Sequence, residues 1–197
     1  MKFKLFDTEI YISFLFSATV TIMLLTDKTG YMLPALFAII LHEIGHLFMM
    51  WVLECAPKRI KLIPASVQIT APFAKRYRND ILTAASGPAV NILLFLTLYF
   101  NFLAFGNNIT LYFALLNLVI GLFNLLPVKG LDGGTILFCI LEKYKGPDKA
   151  SLVLKIITLI LAGAIIITAV TLTLRGKINI SIYIMGIYLL IMSLLKN

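Results

Sequence analysis

The chain holds two histidines, His42 and His46, four residues apart with Glu43 between them, so that Leu41 to His46 reads LHEIGH. Positions i and i+4 of a helix share one face, and two imidazoles placed there reach a single metal ion. Glu43, one residue on from His42, stands beside that face, where a carboxylate can take a proton from a water polarised by the metal. The stretch around them, Gly30 to Leu53, is apolar. Ionisable groups in a membrane helix are costly enough to mark a functional site by default. A chance match on a packed helix would bury an unpaired charge, which is expensive.

A catalytic zinc normally takes three protein ligands and keeps one position open for water. The chain has no third histidine, so a carboxylate must complete the set. Of the nine acidic residues, most border basic stretches. Asp132 is the exception, in NLLPVKGLDGG from Asn124 to Gly134, directly after an apolar run. Pro127 stops a helix there, and Gly130, Gly133 and Gly134 permit turns. Irregular backbone at membrane depth survives only where it is buried in protein or lines a water-filled cavity, and such a segment suits a metal-binding carboxylate. Asp-Gly is also an ordinary turn dipeptide. On the residues alone, LDGG as a plain cytoplasmic turn stays open.

The elements that must position these residues are membrane helices. Of 197 residues, 60% are hydrophobic and 13% charged, with a mean hydropathy of +0.98; soluble domains carry about 25% charged residues. Apolar runs at 10–26, 30–53, 81–105, 109–126, 151–174 and 178–195 approach the roughly 20 residues that cross a bilayer. The expected fold is therefore an all-α polytopic membrane protein with six transmembrane helices. It forms one integral domain over 1–197, with a core at about 30–135 and extra helices at 10–26, 151–174 and 178–195. Ile60 to Thr70 reads IKLIPASVQIT, whose β-branched content and partial alternation predict a short membrane-associated β-hairpin or strand segment broken at Pro64. LDGG is expected as a re-entrant loop.

Lys2 and Lys4 precede the first run as in a signal peptide, but Asp7 and Glu9 interrupt the basic region and no small-residue cleavage site precedes Asp27. A retained first helix is expected. Cys55 and Cys139 form no C-x-x-C cluster and read as small buried hydrophobes.

The net charge of +8 does not imply nucleic acid here, because basic residues flank membrane helices on the cytoplasmic side. With six helices, the termini and the connections 54–80 and 127–150 share one side, which collects 13 Lys and Arg. Lys28, Arg175 and Lys177 lie opposite. This bias predicts both termini in the cytoplasm of a bacterial cell. The second helix then runs inward, which puts the histidines roughly 10–17 Å from the cytoplasmic surface at 1.5 Å per residue.

LHEIGH, then SGPAVN from Ser86 to Asn91, then NLLPVKGLDGG resemble, in this order, the three signatures of site-2 proteases, the intramembrane zinc metalloproteases. The resemblance implies one catalytic Zn2+ held by His42, His46 and Asp132, with Glu43 as the catalytic base. It implies Asn124 as a substrate-positioning or oxyanion-side residue and Pro127 as the residue that shapes its loop. Gly87, Pro88 and Asn91 match the remaining signature, with helix packing and a buried amide hydrogen bond as the alternative roles.

The six-helix layout is most similar to the sporulation-type branch, which processes a membrane-associated pro-sigma factor. The sequence ends at Asn197 without that branch's nucleotide-sensing domain, has no PDZ insertion, and carries Lys129 and Gly130 where proline or apolar residues are usual. The implied function is hydrolysis of a peptide bond within or near the transmembrane segment of a membrane-tethered protein, such as a sigma or anti-sigma factor. The bilayer and a regulatory membrane protein are the further partners. A substrate helix must unwind before attack, and Val67, Gln68 and Ile69 could hold the unwound peptide by strand addition. The competing readings are an inactive membrane-binding or chaperone-like homologue and a small ion-binding transporter. Histidine-rich di-iron enzymes are excluded by the two histidines.

Overall fold

A computed structural model describes residues 2–5, 8–28, 30–55, 59–63, 66–70, 77–176 and 179–194. Among them the order of elements is β1 (Lys2–Leu5), β2 (Thr8–Ile12), α1 (Phe14–Thr26), α2 (Met32–Val52), β3 (Arg59–Ile63), β4 (Ser66–Thr70), α3 (Tyr77–Phe105), α4 (Asn108–Asn124), α5 (Asp132–Lys145), α6 (Pro147–Leu174) and α7 (Ile180–Leu194). The chain divides into two compact units, 1–121 and 122–197.

In the first unit the strands form one sheet in the order β1-β2-β3-β4. β1 pairs antiparallel with β2, and β3 antiparallel with β4, in a register that sets Lys61 opposite Gln68. β2 and β3 run parallel, with Glu9 opposite Arg59 and Ile12 opposite Leu62. Pro64, expected to break the strands, lies outside the described residues, as do Lys58, Lys75 and Arg76.

The N-terminus corrects the expected helix over 10–26, because Thr8–Ile12 is strand and the helix begins at Phe14. A hydropathy window does not see period. Glu9-Ile10-Tyr11-Ile12 alternates polar-leaning and apolar β-branched positions, and β1 and β3 supply the hydrogen-bond partners.

α2 buries Ala38, His42, Gly45, His46 and Met50, one stripe at helical spacing. Its opposite side exposes Phe37, Ile40, Ile44, Phe48 and Trp51. Polar residues inside and large apolar ones outside is the reverse of a water-soluble helix, and it fits a hydrocarbon surround. α3 packs on α2 through small residues: a Cβ at Gly45 would meet the Ser86 carbonyl and the Val90 side chain at 2.9 Å. Such close backbone approach is how membrane helices gain contact.

The second unit corrects the expected connection over 127–150. Residues 125–131 are irregular, but Asp132–Lys145 is helix, so the LDGG aspartate and glycines open α5 rather than lying in a loop. Asp132 in the first turn and Lys143 and Lys145 in the last complement the helix dipole. Gly146, at φ 81°, ends α5, and Pro147 opens α6. α6 packs on both α5 and α7, around a core of Val128, Leu131, Ala162 and Leu189.

Among the described residues, three helices are long and apolar enough to cross a membrane, namely α2, α3 and α6. α1, α4 and α7, at 13, 17 and 15 residues, are apolar but fall short of the roughly 20 residues that cross the hydrocarbon unaided.

Candidate active site

His42 and His46 are buried on the face of α2 that meets α3. Their rings stand edge to face, at 85° and 4.8 Å between centroids, with the two Nε2 atoms 3.2 Å apart. The Nδ1 atoms point the other way, into acceptors. His46 Nδ1–H donates to the Thr83 carbonyl at 2.7 Å, and His42 Nδ1–H donates to Asn91 Oδ1 at 2.5 Å. With the ring proton on Nδ1 in both cases, each Nε2 carries its lone pair in the plane of the ring. At 3.2 Å these two nitrogens are within hydrogen-bond distance, so they either share a proton or hold a cation between or beside them. The arrangement therefore suits a metal ion, and it is the usual way a ligating histidine is oriented, through the hydrogen bond of its other nitrogen.

The SGPAVN segment of α3 builds the floor of this pair. A Cβ at Gly87 would run into His46 Nε2 and Cε1 and His42 Nε2, so only glycine leaves room for both rings. Ser86 Oγ–H donates to the same Thr83 carbonyl that holds His46, at 2.6 Å. Pro88, buried inside α3, has no N–H to give the Ala84 carbonyl one turn back. Asn91 is fully buried. Its Nδ2 donates to Asn117 Oδ1 on α4 at 2.9 Å and approaches the Ala38 carbonyl at 3.4 Å. A Cβ at Gly121 would sit 3.1 Å from that of Asn91, so this glycine lets α4 close on α3 at that level. Glu43, next along α2, is half-buried.

In the second unit Asp132 is the first residue of α5 and half-buried. Gly133 and Gly134 press against the backbone of residues 125–128, where a Cβ would meet the carbonyls of Leu125, Leu126 and Val128. The segment that holds Asn124 and Pro127 thus folds back onto the turn that carries Asp132. Asn124 ends α4, and both it and Pro127 are half-buried. Thr158 of α6, buried, accepts the Lys129 N–H at 3.1 Å and steadies the same segment. Val67, Gln68 and Ile69 lie in β4, an edge strand of the sheet.

Sequence reasoning missed three partners. Thr83 acts through its carbonyl, which no side-chain pattern announces. Asn117 and Thr158 were visible as polar residues in apolar helices, a signal that went unused.

Comparison with known proteins points one way. Residues 104–170, a stretch that includes Asn124, Pro127 and Asp132, match the model for peptidase family M50. The chain is 29% identical over 154 residues to the zinc metalloprotease MJ0392 of Methanocaldococcus jannaschii, a match that covers 73% of this chain and 45% of that protein. The chain thus spans under half the length of this curated relative. The fold is similar to that of a solved site-2 protease from the same organism, with a TM-score of 0.72 and 21% identity over 98% of this chain and 93% of the other. The likenesses are thus to a peptidase family over residues 104–170, to a curated zinc metalloprotease, and in fold to a solved site-2 protease.

Proposed function

We propose that the protein is an intramembrane zinc metalloprotease that hydrolyses a peptide bond within or near the transmembrane segment of a membrane-tethered protein. The observation that carries this reading is the convergence of His42 and His46 Nε2, with both Nδ1 atoms committed elsewhere. His42 and His46 would hold zinc together with Asp132, a donor set of two imidazoles and one carboxylate. Zinc, when bound, acts as a Lewis acid on the scissile carbonyl and lowers the pKa of water toward about 7. Glu43 then takes the proton of the attacking water and returns it to the leaving amine nitrogen. Asn124 and Pro127 position the substrate beside Asp132. Residues 1–197 make a single catalytic domain, with its core at about 30–135.

The substrate segment must unwind, because a helical peptide bond is locked in its own hydrogen bonds. Among the described residues β4 ends the sheet, and the unwound peptide adds at Val67–Ile69 as a further strand. Cross-links from bound substrate confined to α1 or α7 would exclude this. The apolar helices α1–α4, α6 and α7 make six crossings of a bacterial cell membrane, with both termini cytoplasmic. A sigma or anti-sigma factor is the substrate class that the sequence resemblance suggests. A partner membrane protein or prior trimming of the substrate controls access, and purified enzyme that cleaves the intact substrate at full rate would argue against such control.

The test is cleavage of tethered single-span substrates by wild type and by Glu43→Gln, with zinc measured in both. Zinc in both and cleavage only by wild type is the expected result, and His42→Ala should lose the metal. Equal cleavage by the two would remove Glu43 from the chemistry. Zinc without cleavage by either would favour a binding protein.

A further inference from the structure

Asn91 and Asn117 extend the histidine pair into a directed chain of hydrogen bonds that ends on a backbone carbonyl. At the far end, Asn117 Nδ2 donates to the Phe113 carbonyl at 2.9 Å. A carbonyl only accepts, so the Asn117 carboxamide is fixed with Oδ1 pointing back toward α3. That oxygen also only accepts, so it takes the Asn91 Nδ2–H at 2.9 Å. The second Asn91 proton faces another pure acceptor, the Ala38 carbonyl at 3.4 Å. Asn91 is thereby left with Oδ1 facing His42 Nδ1. Carboxamide orientations are ordinarily ambiguous by a flip, but a chain anchored on main-chain carbonyls has one consistent polarity. Both asparagines are buried, at 0% and 3% exposure, so water does not offer an alternative partner.

We infer that Asn117, through Asn91, is a positioning residue that commits the His42 ring proton to Nδ1 and so keeps Nε2 available to a metal. The inference rests on the zinc reading above and adds its control by a residue of α4 that touches neither metal nor substrate. His46 needs no such device, because its Nδ1 meets a main-chain carbonyl directly. His42 meets a side chain that can rotate. Without Asn117, only the long contact to the Ala38 carbonyl at 3.4 Å still orients the Asn91 carboxamide, which is then released to turn over, present Nδ2–H to His42 Nδ1 and draw the ring proton to Nε2. A metal must then displace that proton, which weakens its binding.

The chain has only two histidines, so 15N-histidine labelling reads both rings without overlap. Metal-free wild type should show both rings protonated on Nδ1. Asn117→Leu should move the proton of one ring, His42, to Nε2 and leave His46 unchanged. Its zinc affinity, measured by competition with a chelator, should fall about 10- to 100-fold, the usual effect of losing an outer partner of a ligand. The double variant Asn117→Leu with Asn91→Asp should recover zinc affinity to within a few-fold of wild type, because a carboxylate accepts in either orientation. Rescue separates positioning from packing, since a merely structural loss would be deepened by the second substitution. Unchanged ring signals and zinc affinity in Asn117→Leu would overturn the inference while leaving the protease reading intact. Failure of the wild type to bind zinc would instead strike the protease reading. If Asn117→Leu does not fold, wild type alone still decides, because a His42 ring with no proton on Nδ1 in the metal-free protein contradicts the chain of donors.

Discussion

At the scale of single residues, the site depends on what is missing from position 87. Both imidazoles lie where a Cβ would be, so Gly87→Ala must displace at least one ring. Displacement by a few tenths of an ångström is enough to spoil converging ligands. Zinc affinity of Gly87→Ala, measured by chelator competition, should fall at least tenfold, with helix content by circular dichroism kept. The histidine pair and Glu43 stand out in the sequence because their types and spacing have few other uses, whereas Asp132 stands out only beside them, since Asp-Gly is also an ordinary turn. The work done by Asn91 is not legible there. A motif says that an amide belongs there, but its role follows from the acceptor it presents to His42 and the acceptors it meets on its other side. Thr83 was beyond reach altogether, since any residue supplies a main-chain carbonyl.

At the scale of elements, the glycines of LDGG serve packing rather than flexibility. Gly133 and Gly134 sit in the first turn of α5 with the 125–128 backbone laid against them. Gly133→Ala would push a methyl into two carbonyls, and overpacking of this kind costs about 1–3 kcal/mol. A lower melting temperature in detergent is expected, with loss of cleavage exceeding the loss of fold because the displaced turn carries Asp132. Wild-type melting in that variant would mean that the segment yields freely. Six apolar runs located the helices well where they are long, as in α2, α3 and α6, because hydropathy averaged over a turn or more is insensitive to detail. The same averaging concealed β2, whose five residues alternate, and α5, whose charged ends lowered its mean. Short elements are decided by their partners, here β1 and β3 for β2 and α6 for α5.

At the scale of the molecule, the basic residues predict orientation. Reporters attached at the N-terminus and within 143–149 should label from the cytoplasmic side, and one inserted at 106–108 from the other. Labelling of all three from one side would contradict six crossings. The parallel pairing of β2 with β3 bears on the same question without any reference to charge. β2 ends at Ile12, next to the start of α1, and β3 begins at Arg59, shortly after the end of α2. Hydrogen bonds between these strands hold the entry to α1 and the exit from α2 at one sheet. A path that leaves a surface and returns to it crosses an even number of times. If α2 passes through the bilayer, α1 with the residues that join it to α2 must pass through as well, despite its 13 residues. The sheet thus acts as a parity check on the topology, and it can close only after residues some fifty positions apart, Glu9 and Arg59, have both been made and brought back to the same face.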